Sequence, residues 1–378
     1  MLKKTIKPFH RQWYLKLIRE SRNSLNNYTM ASILMQWQKN GYHSRKTRLE
    51  FQFSTHWQRF TSQIQLGDPS FRAVKALQKE YHLFVDYLLQ PIAKAQQSYL
   101  KDTTDFINFI EKTQVVENTV LVSMDVTSLY TNIPQEEGIT TVCNAYETSY
   151  KSSPPIPARF IREMLQLILK ENSFQFNGKH YLQTHGTAMG TKMAVAFANI
   201  FMNAIEAELS RLSSYKPLVW KRYIDDIFSL WNVDKKDIDS FIELANNHHP
   251  TIKFTAEISD TEITFLDTCI HKGYRFGRES ILDVRTHFKP TESFQYTEYS
   301  SCHPPGIRKG FLKGEALRLL RTLQGKLLKR TFNNSKENYK RGVTQITSRR
   351  RFFRKLNLVK DRWCYKINKR RTKGFYRL

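Results

Sequence analysis

Two adjacent aspartates, Asp225 and Asp226, lie inside an apolar and aromatic stretch, with Tyr223-Ile224 before them and Ile227-Phe228 after them. Two unit charges about 4 Å apart repel by roughly 1 kcal/mol in water and by about 4 kcal/mol at an effective dielectric of 20. A fold that keeps both carboxylates charged needs something to offset this repulsion, and a divalent cation is the usual solution. The alternative is that the pair occupies a solvent-exposed β-turn.

A third aspartate, Asp125, follows a continuous apolar run that predicts a strand over residues 119–126. A lone carboxylate at this place is by default a strand-end cap. Beside a hairpin that carries Asp225 and Asp226 at its tip, it becomes the third ligand of a Mg²⁺ site of the kind used in phosphoryl or nucleotidyl transfer. The three aspartates are therefore the candidate catalytic and metal-binding residues.

The net charge of +26 is concentrated at the two ends of the 378-residue chain. Residues 301–378 hold 24 Lys and Arg against 3 Asp and Glu, and residues 1–50 hold 11 against 2, whereas residues 51–300 hold 25 against 29. The middle is typical of an enzyme body, and the ends are typical of polyanion-binding segments. Aromatic residues among the C-terminal charges suit stacking on bases as well as phosphate contacts. The alternative is a tail that only aids solubility or adheres to membranes.

The composition excludes several other classes of protein. A hydrophobic content of 40% and an aromatic content of 13% indicate a globular chain, with room for two or three domains. The 4 cysteines show neither metal-ligand spacing nor a disulfide framework, which favours a reducing intracellular compartment. The sequence contains no run of 18 apolar residues, so no membrane span is predicted, and the first residues do not match a signal peptide.

Hydrophobic periodicity and turn signals predict an α+β fold, an antiparallel sheet with helices on one face. Asn177-Gly178 between two alternating segments predicts a β-hairpin. Pro91 is expected to end or kink the helix that contains it. The predicted helices span residues 72–100, 134 onward, 158–171, 192–213 and 235–247. Besides residues 119–126 and the Asn177-Gly178 hairpin, the predicted strands span 218–224, 226–231, 252–258 and 263–267. Residues 131–134 are predicted as a turn.

Three motifs, in this order along the chain, resemble those of reverse transcriptases. Asp125 with Tyr130 five residues later resembles motif A, residues 186–194 resemble motif B, and Tyr223-Ile224-Asp225-Asp226 resembles motif C. The sequence is most similar to Penelope-like retroelements, because residues 128–134 are similar to that family's extension of motif A. Residues 265–268 and 289–291 also resemble its later motifs, so that the similarity covers roughly residues 80–345.

The resemblance implies a right-hand polymerase, an RNA-directed DNA polymerase that uses an RNA template, a DNA primer and deoxynucleoside triphosphates. Asp125 and Asp225, with Asp226 beside them, would hold two Mg²⁺ ions, or Mn²⁺ in their place. Tyr130 would lie under the nucleotide sugar, with a core tyrosine as the alternative. The remaining implied nucleotide contacts are Gly190 and Lys192, and a solvent-facing helix position is the alternative for Lys192. Lys253 is a candidate proton donor to the pyrophosphate, for which a surface strand lysine is the better explanation.

The predicted organisation has four parts: a basic N-terminal region over 1–80, a palm with partial fingers over 81–299, a helical thumb or helix-turn-helix-like region over 300–365, and a basic tail over 366–378. The family's fingers segment has no counterpart before residue 80, which favours an alternative function as a catalytically inactive nucleic-acid binder. The resemblance and the basic cluster at 369–373 also imply nuclear residence. The candidate nucleic-acid-binding residues of the thumb are Arg308, Lys309, Lys313, Arg318 and Arg321.

Overall fold

The computed structural model describes residues 6–8, 71–151, 154–291, 302–304, 306–307, 310 and 314. Most of the basic N-terminal region, the predicted thumb and the basic tail therefore lie outside the described residues. The same holds for the five candidate nucleic-acid-binding residues, which are Arg308, Lys309, Lys313, Arg318 and Arg321. Their roles stay predictions.

Within the described residues the chain is a mixture of helices and strands. The helices are α1 (Phe71–Lys94), α2 (Thr103–Ile110), α3 (Leu129–Asn132), α4 (Gln135–Tyr150), α5 (Ala158–Lys170), α6 (Ala194–Leu212), α7 (Lys235–His248) and α8 (Phe276–Glu279). The strands are β1 (Ile6–Pro8), β2 (Val120–Val126), β3 (Ser173–Phe176), β4 (Lys179–Gln183), β5 (Val219–Tyr223), β6 (Asp226–Trp231), β7 (Phe254–Ser259), β8 (Glu262–Phe265), β9 (Thr268–His271) and β10 (Asp283–Thr286). The predicted α+β class is confirmed.

The long helices follow the hydrophobic pattern of the sequence. Helix α5 buries residues three or four apart on one side, as an amphipathic helix should, and these are Phe160, Ile161, Met164, Leu165, Ile168 and Leu169. Helix α6 is apolar around most of its circumference and is correspondingly buried, which makes it a central core element. Pro91 lies in the last turn of α1, and the helix ends three residues later at Lys94 rather than at residue 100.

The sheets place the aspartate-bearing strands next to one another. A four-stranded sheet has the order β5-β6-β2-β7, so β2 lies beside β6. Strands β5 and β6 pair antiparallel, with Tyr223 opposite Asp226 at the tip of the hairpin. Two three-stranded sheets, β1-β4-β3 and β10-β9-β8, are built from antiparallel pairs. The antiparallel pairing predicted for the two hairpins is therefore confirmed.

The chain divides into two compact units. The first contains the described residues of Met1–Leu100 together with Met124–Glu257, and includes the β5–β6 hairpin and α6. The second contains Lys101–Ser123 and the described residues from Ile258 onward. In the second unit the Phe106 ring packs edge-on against Phe265, with their centroids 4.6 Å apart.

Several short elements were not predicted from the sequence: α2, α8, β9 and β10. Residues 131–134 were predicted as a turn, but the structure has the short helix α3 ending at Asn132. Such elements span four to eight residues, so local periodicity gives little signal. Among the described residues, no helix combines the length and the hydropathy that a membrane crossing requires.

Candidate active site

Strand pairing brings the three predicted aspartates to one place in the first unit. Asp125 is the last but one residue of β2, Asp225 lies in the hairpin turn, and Asp226 opens β6. The Val126 amide donates a hydrogen bond to the Asp225 carbonyl oxygen at 3.1 Å. This backbone bond places Asp125 directly beside the doublet, although about 100 residues separate them in the sequence.

Two of the three aspartates, Asp125 and Asp226, have raised pKa values. Burial, together with the negative charges of Asp225 and Asp125, raises the pKa of Asp226 to about 6. Burial also raises the pKa of Asp125, again with a contribution from Asp225. These shifts have the sign expected of carboxylates that are partly removed from water and lie beside like charges.

The donor chemistry of this cluster fits a divalent metal ion. Carboxylate oxygens are the ligands that Mg²⁺ and Mn²⁺ prefer, and a cation would offset the mutual repulsion that contributes to the raised pKa values of Asp125 and Asp226. Over the described part of the chain, no group of three or more Asp, Glu, His or Cys side chains is arranged so that it could hold a metal ion. The aspartate cluster matches a divalent ion by ligand type and by charge, and its role as a metal site stays a prediction.

The hairpin turn that carries the doublet is strained. Ile224 has φ of +60°, a left-handed conformation that a β-branched residue rarely adopts. Strain of this kind costs of order 1–3 kcal/mol and persists only where the surroundings hold it in place. Two hydrogen bonds hold this turn: Arg222 Nη1 donates to the Ile224 carbonyl at 3.0 Å, and Val126 donates to the next carbonyl along.

Tyr130, the predicted sugar-contacting residue, lies near this acidic cluster. It is partly buried in α3, directly after β2. Burial raises the pKa of the Tyr130 phenol, and the nearby Asp225 and Tyr223 raise it further. Its position beside Asp225 and its partial exposure set it apart from a fully buried core tyrosine.

The loop that begins at Gly186 packs against the segment that follows Asp125. Gly186 has φ of +67°, and a Cβ there would lie 2.4 Å from the Tyr130 carbonyl oxygen and 2.6 Å from Thr131 Cα. The Thr187 amide donates to the Tyr130 carbonyl at 2.7 Å. Gln135 Nε2 donates to the Gly186 carbonyl at 3.0 Å. Only glycine fits this approach, and the contact fixes the loop beside Tyr130.

Two other predicted nucleotide contacts lie on the open part of this loop. Gly190 is exposed, with φ of +89° and nothing within 4 Å of a built Cβ. Lys192 is also exposed. Lys192 lies near α1, because its charge acts on the pKa of Asp86 on that helix. Burial raises this pKa, and the Gln90 hydrogen bond and the charges of Lys94 and Lys192 oppose the rise. The solvent-facing alternative for Lys192 agrees with this placement.

Lys253 has a structural role in the described residues. Its Nζ donates to the carbonyl oxygens of Asn246 and of His249, the latter at 3.0 Å, at the carboxyl end of α7. A cation at a helix C-terminus is favoured by the helix dipole. The contacts favour the simpler explanation, a lysine that caps a helix, over a proton donor to pyrophosphate.

Sequence reasoning missed Arg222 and Glu206. The Arg222 side chain is fully buried and its Nε lies 2.7 Å from Glu206 Oε1. An arginine inside an apolar strand, three residues before the aspartates, is the signal that could have found it, because a buried charge requires a partner. The partner on α6 is not deducible without the fold.

One family of known proteins matches this chain. A family model described as reverse transcriptase (RNA-dependent DNA polymerase) matches residues 68–264, a little over half of the chain. No curated protein sequence matches. The matched range contains all three aspartates and the loop at Gly186.

Solved structures with a similar backbone include two telomerases and a viral polymerase. Telomerase from Candida albicans, in complex with a fragment of telomeric RNA, has 10% identity and a TM-score of 0.49, covering 73% of this chain and 49% of that one. An apo telomerase from Candida tropicalis has 12% identity and a TM-score of 0.42, covering 55% and 44%. The RNA-dependent RNA polymerase of a human picobirnavirus has 11% identity and a TM-score of 0.45, covering 66% and 46%.

The chain spans less than half the length of each of these solved chains. With TM-scores below 0.5, the likenesses decide nothing about function. The family match stands by itself, since it covers more than half of the chain and includes the acidic cluster. The chain belongs to the reverse transcriptase (RNA-dependent DNA polymerase) family.

Proposed function

We propose that this chain is an RNA-directed DNA polymerase of a Penelope-like retroelement, which extends a DNA primer on an RNA template. The observation that carries the proposal is the backbone hydrogen bond of 3.1 Å between Val126 and Asp225, which sets Asp125 beside the doublet. The Penelope-like assignment is supported by the sequence of residues 128–134 and the later motifs. Nuclear residence is part of the same proposal.

Asp125, Asp225 and Asp226 would hold Mg²⁺ or Mn²⁺. When bound, such ions supply Lewis acidity at the primer hydroxyl and offset the charge of the triphosphate. The chain's own contribution begins with the ionisation of Asp226, whose pKa of about 6 leaves a fraction of it protonated in mildly acidic solution. Its carboxylate must lose that proton before it can act as a ligand.

The surrounding residues would select and place the nucleotide. The Tyr130 ring lies near Asp225, and it would lie against the sugar and exclude a 2′-hydroxyl. The exposed backbone at Gly190 has no side chain, so a base pair can approach it closely. The loop keeps this position because Gly186 and Thr187 are bound to the Tyr130 segment.

Primer extension on an RNA template tests the proposal. Wild-type protein with Mg²⁺ is expected to extend the primer, and Asp225→Asn is expected to lose at least about 100-fold in rate, because one ligand of the metal site is gone. Asp239→Asn is a matched control, since Asp239 is an exposed carboxylate on α7. Equal extension by wild type and Asp225→Asn would contradict the enzymatic proposal.

The second candidate is a nucleic-acid binder without catalysis, which the 24 basic against 3 acidic residues of 301–378 favour. Such a protein binds RNA with an affinity that falls steeply with salt, since phosphate contacts release counterions. RNA binding by both wild type and Asp225→Asn, with extension by neither, would support this candidate over the polymerase.

A further inference from the structure

A buried ion pair lies behind the strained turn of the doublet. The Arg222 side chain has 0% exposure and the Glu206 side chain 10%, with 2.7 Å between Arg222 Nε and Glu206 Oε1. Removing two charges from water costs several kcal/mol per ion, and a hydrophobic pair of similar volume is often as stable or more so. Fold stability alone is therefore a weak explanation for this pair.

The pair is the centre of a hydrogen-bond network that joins three parts of the first unit. Glu206, on α6, also accepts from Ser98 Oγ at 2.7 Å and from Trp220 Nε1 at 2.8 Å. Arg222 Nη1 donates to Asn199 Oδ1 at 2.6 Å, and its Nη2 donates to the Asn199 carbonyl at 3.2 Å. The rigid guanidinium fork is thus fixed in one orientation by several acceptors.

One of the fork's hydrogen bonds reaches the turn itself. Arg222 Nη1 donates to the Ile224 carbonyl oxygen at 3.0 Å, and that carbonyl belongs to the peptide that leads into Asp225. The carbonyl of the following peptide accepts from Val126. The peptides on both sides of Asp225 are therefore held, one from α6 through Arg222 and one from β2, which explains how Ile224 keeps its unfavourable φ.

We propose that Arg222, neutralised by Glu206, is a positioning residue that holds the Asp225 carboxylate in the orientation required for metal binding and nucleotidyl transfer. This inference rests on the proposed function. Arg222 touches neither a substrate nor a reacting atom, and it acts through the Ile224–Asp225 peptide.

The effect works through geometry rather than through the charge of Arg222. The guanidinium charge is offset by the Glu206 carboxylate within hydrogen-bonding distance. The causes that shift the Asp226 pKa are burial and the other two aspartates. A misplacement of about 1 Å in such a site can cost about 100-fold in rate, so loss of the fork should matter even where a neutral pair restores the packing.

The experiment compares the double variant Arg222→Met/Glu206→Gln with Arg211→Met/Glu208→Gln. The first removes the pair without leaving a buried unpaired charge. Its Gln keeps one acceptor oxygen, for either Ser98 or Trp220, which bond different oxygens of Glu206. The control removes the Arg211–Glu208 ion pair, which lies on α6 as Glu206 does. The side chains of this pair are 67% and 49% exposed. Three measurements are made on the full chain: the melting temperature, the kinetics of primer extension (kcat and KM), and the Kd for Mn²⁺ by calorimetry.

The inference expects Arg222→Met/Glu206→Gln to stay folded, to lose at least about tenfold in kcat with KM for the nucleotide within about threefold, and to bind Mn²⁺ more weakly. The control should match wild type in all three. A kcat and a Mn²⁺ affinity equal to those of the control would overturn the inference. A fall in kcat together with a rise in KM and a fall in melting temperature would also overturn it, because a pair with a purely structural role would produce all three changes.

The outcome stays separable from that of the proposed function. If wild-type protein does not extend primers, the proposed function fails, and Mn²⁺ affinity alone decides the inference: weaker binding in the double variant than in the control supports it, and equal binding refutes it. If the double variant does not fold, Arg222→Lys takes its place under the same criteria. Lysine keeps the charge but lacks the fork that reaches both Glu206 and Ile224.

Discussion

Replacing Gly186 by alanine should destabilise the protein by more than the same replacement at Gly178, and the structure gives the difference. Both glycines have positive φ, +67° at Gly186 and +73° at Gly178. An alanine at either position therefore has nearly the same cost of about 1–2 kcal/mol for its left-handed backbone, and nearly the same effect on the entropy of the unfolded chain. At Gly178 a Cβ has nothing within 4 Å. At Gly186 it would lie 2.4 Å from the Tyr130 carbonyl oxygen, where the backbone must move.

Overpacking of this kind costs typically about 1–3 kcal/mol. We therefore expect the free energy of unfolding, measured by urea denaturation, to fall about 1–3 kcal/mol further in Gly186→Ala than in Gly178→Ala. Gly190→Ala, with φ of +89° and open space, should behave like Gly178→Ala. Equal destabilisation by all three variants would show that the loop does not pack on the Tyr130 segment, and would remove the structural basis for its place beside the acidic cluster.

Three further predictions concern the acidic cluster itself. Because the pKa of Asp226 in the folded state is raised to about 6, the folded protein binds one more proton than the unfolded chain between about pH 4 and 6. The free energy of unfolding without metal should therefore fall as pH rises through that window, and Asp226→Asn should flatten the pH dependence of the melting temperature. Asp225→Asn removes one of the repelling charges, so with a metal chelator present it should raise the free energy of unfolding by a few tenths to about 1 kcal/mol. A lower free energy of unfolding in this variant would mean that the repulsion is already relieved. Tyr130→Ala should raise ribonucleotide incorporation relative to deoxyribonucleotide by about tenfold or more in primer extension, and an unchanged ratio would exclude Tyr130 from the sugar contact.

Elements whose signals are local were predictable from the sequence. The Asn177-Gly178 hairpin needs positive φ at both turn residues, and the structure shows +47° and +73°. The apolar periodicity of residues 158–171 likewise predicted α5 nearly to its ends. The strands around the aspartate doublet were found for the same reason, since alternation and length need no knowledge of the partner strand.

Features that depend on distant partners were not predictable. Ile224 has a positive φ that its residue type disfavours, and only the bonds to Arg222 and Val126 explain it. The Arg222 partners Asn199 and Glu206 lie 23 and 16 positions away, on a helix whose packing the sequence pattern does not specify. Short elements such as α2 and β10 form because neighbours from far along the chain cover them.

The hydrogen bond between Val126 and Asp225 has a consequence for biosynthesis. It closes a loop of about 100 residues, so it forms late, after the entropy of bringing its ends together has been overcome. A nascent chain that has emerged from the ribosome as far as α5 carries Asp125 alone, without the doublet. Binding of a metal ion by the three aspartates together, as proposed above, would therefore require synthesis and docking of the β5–β6 hairpin.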